Sequence, residues 1–350
     1  MRELKDGLSG IMSAKNEARF IEKSIDSCIN VLDELVVVYN DCTDETPEIL
    51  ERKQKQYPDK LKVYKYEHHV LGFNLTREEL EYAKSLPEDS PHLFCNQRNY
   101  SLSKVSYKYV IKIDPDQIYW EDGIKLWRDI CCGKVQIKWN IGLILGWFFM
   151  MYISAYRRLS VRLGYPCLWM IPDWLIFALK KDYSDYIKWR LQKGDVAVSF
   201  SGLNLFYDGI CYIPFDGYNI HPPYNGEGDL FIFKLSEQTF FTPYSKEKEP
   251  YAMIEFLSHP YKIVVADSPL WFHLHANRTY CFDKVKAVKE KYPELFVLPE
   301  DFVKMDYKEV LDRLMPNTWT PYQRTLFALV HKWGKEAIKK HLKLLEKICL

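Results

Sequence analysis

Between Leu8 and Ile113 the chain alternates short continuous apolar runs with segments of helical periodicity, and that alternation leaves few folds open. Leu8-Ser-Gly-Ile-Met12 is an apolar run ending in polar residues, and Glu17 to Leu32 carries Phe20, Ile21, Ile25 and Ile29 at helical spacing. Glu34–Tyr39 is β-branched and continuous, as a strand buried on both faces must be. Asp44-Glu-Thr-Pro47 opens a helix, with Thr46 as its N-cap and Pro47 at its first position. Leu61–Tyr66 is a third strand, Asn96–Val105 a helix and Tyr107–Ile113 a fourth strand. Alternating β and α units at this spacing predict an α/β fold: a Rossmann-like, mostly parallel sheet flanked by helices.

Composition narrows the class without fixing the function. Apolar residues make up 47% and charged residues 27%, which excludes a disordered chain or a collagen-like rod. Forty-eight basic residues against 47 acidic ones leave a formal charge of +1, so no nucleic-acid partner is expected. The nine cysteines show no CxxC and include the adjacent pair Cys131–Cys132, which predicts free thiols in a reducing cytoplasm. The first residues carry charge but no apolar run, so no secretory signal is expected. The longest apolar stretch, Ile141 to Tyr156, is broken by Gly142, Gly146 and Ser154 and falls short of the roughly 20 residues of a spanning helix.

The fourth strand ends in Asp114-Pro115-Asp116. Ligands of open α/β sheets bind at the carboxyl edge of the strands. Two carboxylates there form an oxygen site suited to Mg²⁺ or Mn²⁺, which can neutralise a diphosphate. A pair of carboxylates does not complete a divalent site, and Trp271-Phe-His273-Leu-His275 is the best source of a further ligand. On a continuing strand, His273 and His275 share a face.

Three more segments occur in an order that resembles nucleotide-sugar glycosyltransferases of the GT-A fold, specifically family-2-type bacterial polysaccharide and lipopolysaccharide enzymes. The first strand runs into Ser13-Ala-Lys-Asn16-Glu17, the second into Asn40-Asp41-Cys42-Thr43-Asp44-Glu45-Thr46, and Gln97-Arg98-Asn99 precedes the Asp-x-Asp strand. The resemblance implies that Asn16, Glu17, Asn40 and Asp41 contact the base or ribose of a nucleoside-diphosphate sugar, with UDP favoured. It implies that Arg98 reaches the diphosphate, that Asp116 binds metal, and that Asp114 binds metal, through water, or the ribose. Asn40 stands where the family often has Asp, so either Asn40 or Asp41 takes that role. Asn225-Gly-Glu227-Gly-Asp229 matches the acidic motif that supplies the base in inverting members, with Asp229 favoured over Glu227. No Gln-x-x-Arg-Trp occurs, which points to single additions rather than polymer synthesis.

The expected organisation is a GT-A domain over 1–281, with a nucleotide-binding half 1–120 and an acceptor half 121–281, followed by a helical region 282–350. In that region Leu326, Leu329, Val330, Trp333, Ala337, Ile338, Leu342 and Leu345 recur at helical spacing beside seven cations. Such a helix either lies on an anionic membrane or packs on the domain. The aromatic, basic segment 139–181 adds to the membrane reading. The expected activity is metal-dependent transfer of a sugar to a glycan or lipid-linked acceptor, in the cytoplasm or peripherally on the inner membrane face. A GT-A-like nucleotidyltransferase is the alternative, although no glycine-rich loop follows the first strand. A non-catalytic nucleotide-binding or membrane-surface protein is the other.

Overall fold

The structure is a computed structural model that describes residues 3–163, 173–215, 222–313 and 321–348. In chain order its strands are β1 (Lys5–Ala14), β2 (Glu34–Tyr39), β3 (Leu61–Lys65), β4 (Tyr107–Ile113), β5 (Gln117–Tyr119) and β6 (Val196–Asn204). They continue with β7 (Phe206–Tyr207), β8 (Cys211–Pro214), β9 (Tyr224–Lys234), β10 (Phe240–Lys246), β11 (Ala252–Ser258), β12 (Lys262–His273) and β13 (Phe296–Val297). The chain forms two compact units: residues 1–116, 121–134 and 232–262 make the first, and 117–120, 135–231 and 263–350 the second. The units therefore divide the chain differently from the expected halves, because residues 232–262 return to the first.

In the first unit the α/β expectation holds. The strands lie in the order β3, β2, β1, β4, all parallel, with Ile11 opposite both Val36 and Lys112, and Val37 opposite Val63. Leu35, Val36, Val37 and Val38 are fully buried, which is why that strand reads as a continuous apolar run. The end of β9 adds antiparallel to β4, with Ile232 opposite Ile111. Helices Ile21–Cys28, Thr46–Gln56, Phe94–Lys104 and Glu121–Cys131 complete the βα pattern. Thr46 departs from its expected role as N-cap. Its hydroxyl accepts the Glu17 N–H at 2.7 Å, so it ties two turns together instead of capping its own helix.

In the second unit β12 pairs antiparallel with β5, setting Trp271 opposite Tyr119 and His273 opposite Gln117. Every residue of β6 is buried. A Cβ at Gly202 would come within 2.0 Å of the Trp271 indole, so only glycine lets that ring lie across β6. The helical C-terminal region is present as Thr279–Lys291, Pro299–Phe302, Tyr307–Arg313, Pro321–His341 and Leu345–Ile348.

Helix Pro321–His341 resolves the choice between packing and an exposed apolar face at the positions described. Leu329, Val330, Trp333 and Ile338 are buried. Trp333 packs on Phe149 and Tyr183, His341 stacks on Trp120 at 4.5 Å, and Gly334 admits Pro269. Leu329, Val330, Trp333 and Ile338 are thus spent on the interior of their own unit, and Ala337 is half-buried. Leu326 lies among residues 321–328, whose side chains fall outside the described ones. The seven described cysteines form no disulfide. No described helix is long and apolar enough to cross a membrane.

Candidate functional site

The turns after β1 and β2 leave the same edge because their strands are in register, Ala14 opposite Tyr39. Asn16 and Asp41 adopt positive φ (57° and 45°), a conformation that short polar side chains tolerate. The turns are sewn together: Thr43 N–H donates to Asn16 Oδ1 at 2.7 Å, and Ala18 N–H to Asp44 Oδ2 at 3.0 Å. Glu17 is buried. Asn40 is buried too, and its Oδ1 accepts from Gln97 Nε2 at 2.7 Å. Asp41 is the accessible member of the pair: its carboxylate accepts from His69 Nδ1 at 2.7 Å and faces Lys15 at 3.5 Å. Partial burial works to raise the Asp41 pKa, but the His69 hydrogen bond and the Lys15 charge outweigh it and hold the carboxyl below its ordinary range.

Arg98, expected to reach a diphosphate, lies in a buried ion-pair cluster. Its side chain is 4% exposed, and Nη2 meets Asp114 Oδ1 at 3.3 Å while Nε lies 3.4 Å from Glu255 Oε1. Lys112 closes on the same Glu255 oxygen at 3.0 Å. Burial pushes the Glu255 carboxyl up, yet Lys112 and Arg98 together keep it below its ordinary value. The guanidinium thereby holds Asp114, while its buried Nη1 has no hydrogen-bond partner among the described residues. The Asp114 carbonyl also accepts from Ser24 Oγ at 3.1 Å, pinning the backbone ahead of Asp116.

Asp116 is buried and one peptide bond from Gln117, whose pairing opposite His273 brings the end of β12 alongside. Asp116, His273 and His275 each offer a ligand atom, and these atoms lie within 4.8 Å of one another. Asp114 is not among them; its described partner is Arg98. Both histidines are in the set, but not by strand alternation. β12 ends at His273, and His275 starts a short 3₁₀ turn that returns its ring to within 5.6 Å of the His273 ring, tilted by 27°.

His273 Nδ1 lies 2.7 Å from Asn204 Oδ1, and Asn204 is itself buried and held by the Pro222 carbonyl at 2.8 Å. Donation of Nδ1–H to that oxygen leaves Nε2 as the lone-pair nitrogen, the orienting contact that metal-bound histidines use. One carboxylate and two imidazoles on converging elements fit a divalent cation.

Glu227 and Asp229 lie on β9, and their side chains fall outside the described residues. Two positions earlier, Asn225 Oδ1 accepts from Trp271 Nε1 at 3.1 Å, which ties the start of β9 to β12. Sequence reasoning missed Asn204, His69 and Glu255. Glu255 left a trace, as the lone acid inside the apolar run Ala-Met-Ile-Glu-Phe-Leu, whereas nothing marked Asn204 or His69.

Residues 9–74, which hold both sewn turns, match the family model Glycosyl transferase family 2. That segment of the first unit is similar to family 2. No curated protein matches the chain as a sequence relative. Among solved structures, glucosyl-3-phosphoglycerate synthase from Mycobacterium tuberculosis in complex with UDP shares 23% identity over 31% of this chain and 33% of that one, with a TM-score of 0.22. The same enzyme with Mn²⁺, UDP-glucose and phosphoglyceric acid gives 23% identity, 32% and 34% coverage, and 0.22. S. aureus TarS 1–349 with UDP gives 20% identity, 37% and 32% coverage, and 0.24. The chain spans about a third of the length of these structures, and the reading of the site rests on this chain's own residues.

Proposed function

We propose that the protein is a metal-dependent, inverting, non-processive glycosyltransferase that moves a sugar from a nucleoside-diphosphate sugar, with UDP favoured, to a glycan or lipid-linked acceptor. The observation that carries this reading is the convergence of Asp116, His273 and His275 at the end of the Asp-x-Asp strand, in a chain whose residues 9–74 match family 2. The mixed donor set favours Mn²⁺ over Mg²⁺, which prefers oxygen ligands. When bound, the cation would supply charge relief for the departing diphosphate. The nucleotide-binding half is assigned to the first unit and the acceptor side to the second.

The chain's own residues divide the remaining work. Asp41, half-exposed and kept ionised by His69 and Lys15, offers a carboxylate to the donor's base or ribose, and the Asn16 turn braces it from the other side. Arg98 and Glu255 act by positioning Asp114. Asp229, with Glu227 as the other candidate, takes the proton of the attacking hydroxyl, and losing such a base costs about 10²–10⁴-fold in rate. Biosynthesis of surface polysaccharide at the cytoplasmic face, with peripheral contact to an anionic membrane, completes the reading.

The test is transfer by Asp229→Asn with the product anomer read by proton NMR coupling. The proposal predicts an inverted anomer from the wild type, and donor affinity without transfer from the variant. A product that retains the donor's configuration, or wild-type transfer by both Asp229→Asn and Glu227→Gln, would overturn it; wild-type transfer by Asp229→Asn alone, with loss in Glu227→Gln, moves the base to Glu227.

A further inference from the structure

Helix Ile141–Leu163 is apolar on two faces, one of them buried and the other exposed at the described positions. Leu143, Gly146, Phe149 and Met150 face helix Asp173–Lys193, where a Cβ at Gly146 would come within 2.2 Å of the Asp182 carbonyl. The two helices run antiparallel, since the Ile137 N–H donates to Gln192 at one end while Gly142 and Gly146 meet Asp182 farther along. On the opposite face Ile141, Leu145, Phe148, Tyr152, Leu159 and Leu163 recur at intervals of three, four and seven and are all exposed. Phe148 is 59% and Ile141 74% exposed. A stripe about 35 Å long at the helical rise of 1.5 Å per residue is far more apolar surface than a monomer ordinarily leaves in water.

The charges that helix Ile141–Leu163 itself carries are of one sign. Arg158 and Arg162 are exposed along its border. From Ile130 to Pro172 the sequence has five Lys or Arg residues and no Asp or Glu. Exposed Trp139 and Trp174 stand at the starts of the two helices, the kind of side chain that seats at a lipid headgroup boundary.

We infer that this face of helix Ile141–Leu163 is the surface by which the protein lies on an anionic lipid bilayer, with the apolar stripe entering the headgroup region and Arg158 and Arg162 meeting lipid phosphates. An interfacial helix of this type lies in the plane of the membrane and does not cross it. A second copy fits less well, because two-fold pairing sets the same cationic border against itself. The assignment rests on the membrane contact of the reading above but not on its chemistry. It places that contact on this helix and not on Pro321–His341, whose Leu329, Val330, Trp333 and Ile338 are buried.

The test is co-sedimentation of the full chain with vesicles of phosphatidylcholine alone and of phosphatidylcholine mixed with phosphatidylglycerol. Donor hydrolysis in solution is measured in parallel, so that failure of docking and failure of the glycosyltransferase reading are read separately. The wild type is expected to bind the mixed vesicles more tightly. Arg158→Gln/Arg162→Gln should lose about 25-fold of that affinity, at roughly fivefold per cation, with little change on phosphatidylcholine. Leu145→Ser/Phe148→Ser should lose binding to both while keeping the wild-type circular dichroism. Equal binding of the wild type and both variants would overturn the inference. So would a wild type that ignores vesicles and forms a dimer that Leu145→Ser/Phe148→Ser dissolves.

Discussion

His331 gives the second unit a built-in sensitivity to acid. Its ring is fully buried, with Nδ1 2.8 Å from the Tyr224 hydroxyl and Nε2 3.1 Å from the Met305 carbonyl. Phe302 packs edge-on at 4.7 Å. Burial drives its pKa from 6.5 down to about 4; Lys335 pushes the same way, and the Met305 carbonyl and Asp306 oppose it. The unfolded chain takes up this proton as pH falls through about 6.5, whereas the folded protein resists until about 4. Stability is therefore whole above pH 6.5 and is lost as pH falls toward 4, by about 3 kcal/mol in all at 1.36 kcal/mol per unit, most of it already gone near pH 4.5.

Gln at position 331 can still bond to Tyr224 and Met305 but does not titrate. Urea unfolding of wild type and His331→Gln at neutral and acid pH isolates the effect, because every other titrating group is common to both. The wild type should lose roughly 2–3 kcal/mol more than the variant on acidification. Identical losses, or an NMR titration that places His331 near the ordinary histidine value, would refute the argument.

Asn204→Ala should weaken metal binding about 10–100-fold while leaving the fold intact, because it frees the His273 ring without removing a ligand; isothermal titration with Mn²⁺ checks this. Trp333→Ala should destabilise the protein by about 3–5 kcal/mol in urea, since it removes a buried indole packed between Phe149 and Tyr183. A negligible shift would mean that helix Pro321–His341 is not part of that core.

The parallel strands of the first unit were legible because strands buried on both faces must be written as continuous apolar runs. The acidic end of β4 was legible because its two carboxylates follow such a run. What lay beyond reading was set by tertiary contacts that leave no periodic trace. Arg98 occupies the expected helix, but Glu255, far along the chain, turns it inward. His275 reaches the metal set through a 3₁₀ turn that strand alternation does not anticipate. The stripe of helix Pro321–His341 and that of Ile141–Leu163 have the same helical period, and period alone does not reveal which one the protein covers. Burial does: Leu329, Val330, Trp333 and Ile338 of the first are enclosed, and the apolar positions on one face of the second are open to solvent.

The central claim is that Asp116, His273 and His275 hold a divalent cation for a nucleoside diphosphate. Titration of Mn²⁺ into the full chain with saturating UDP, followed by the electron paramagnetic resonance of free Mn²⁺, tests it directly. The account predicts a single tight site in the wild type that Asp116→Ala abolishes, with circular dichroism unchanged because the substitution removes a ligand and little packing. An Asp116→Ala protein that takes up Mn²⁺ with wild-type affinity would contradict it.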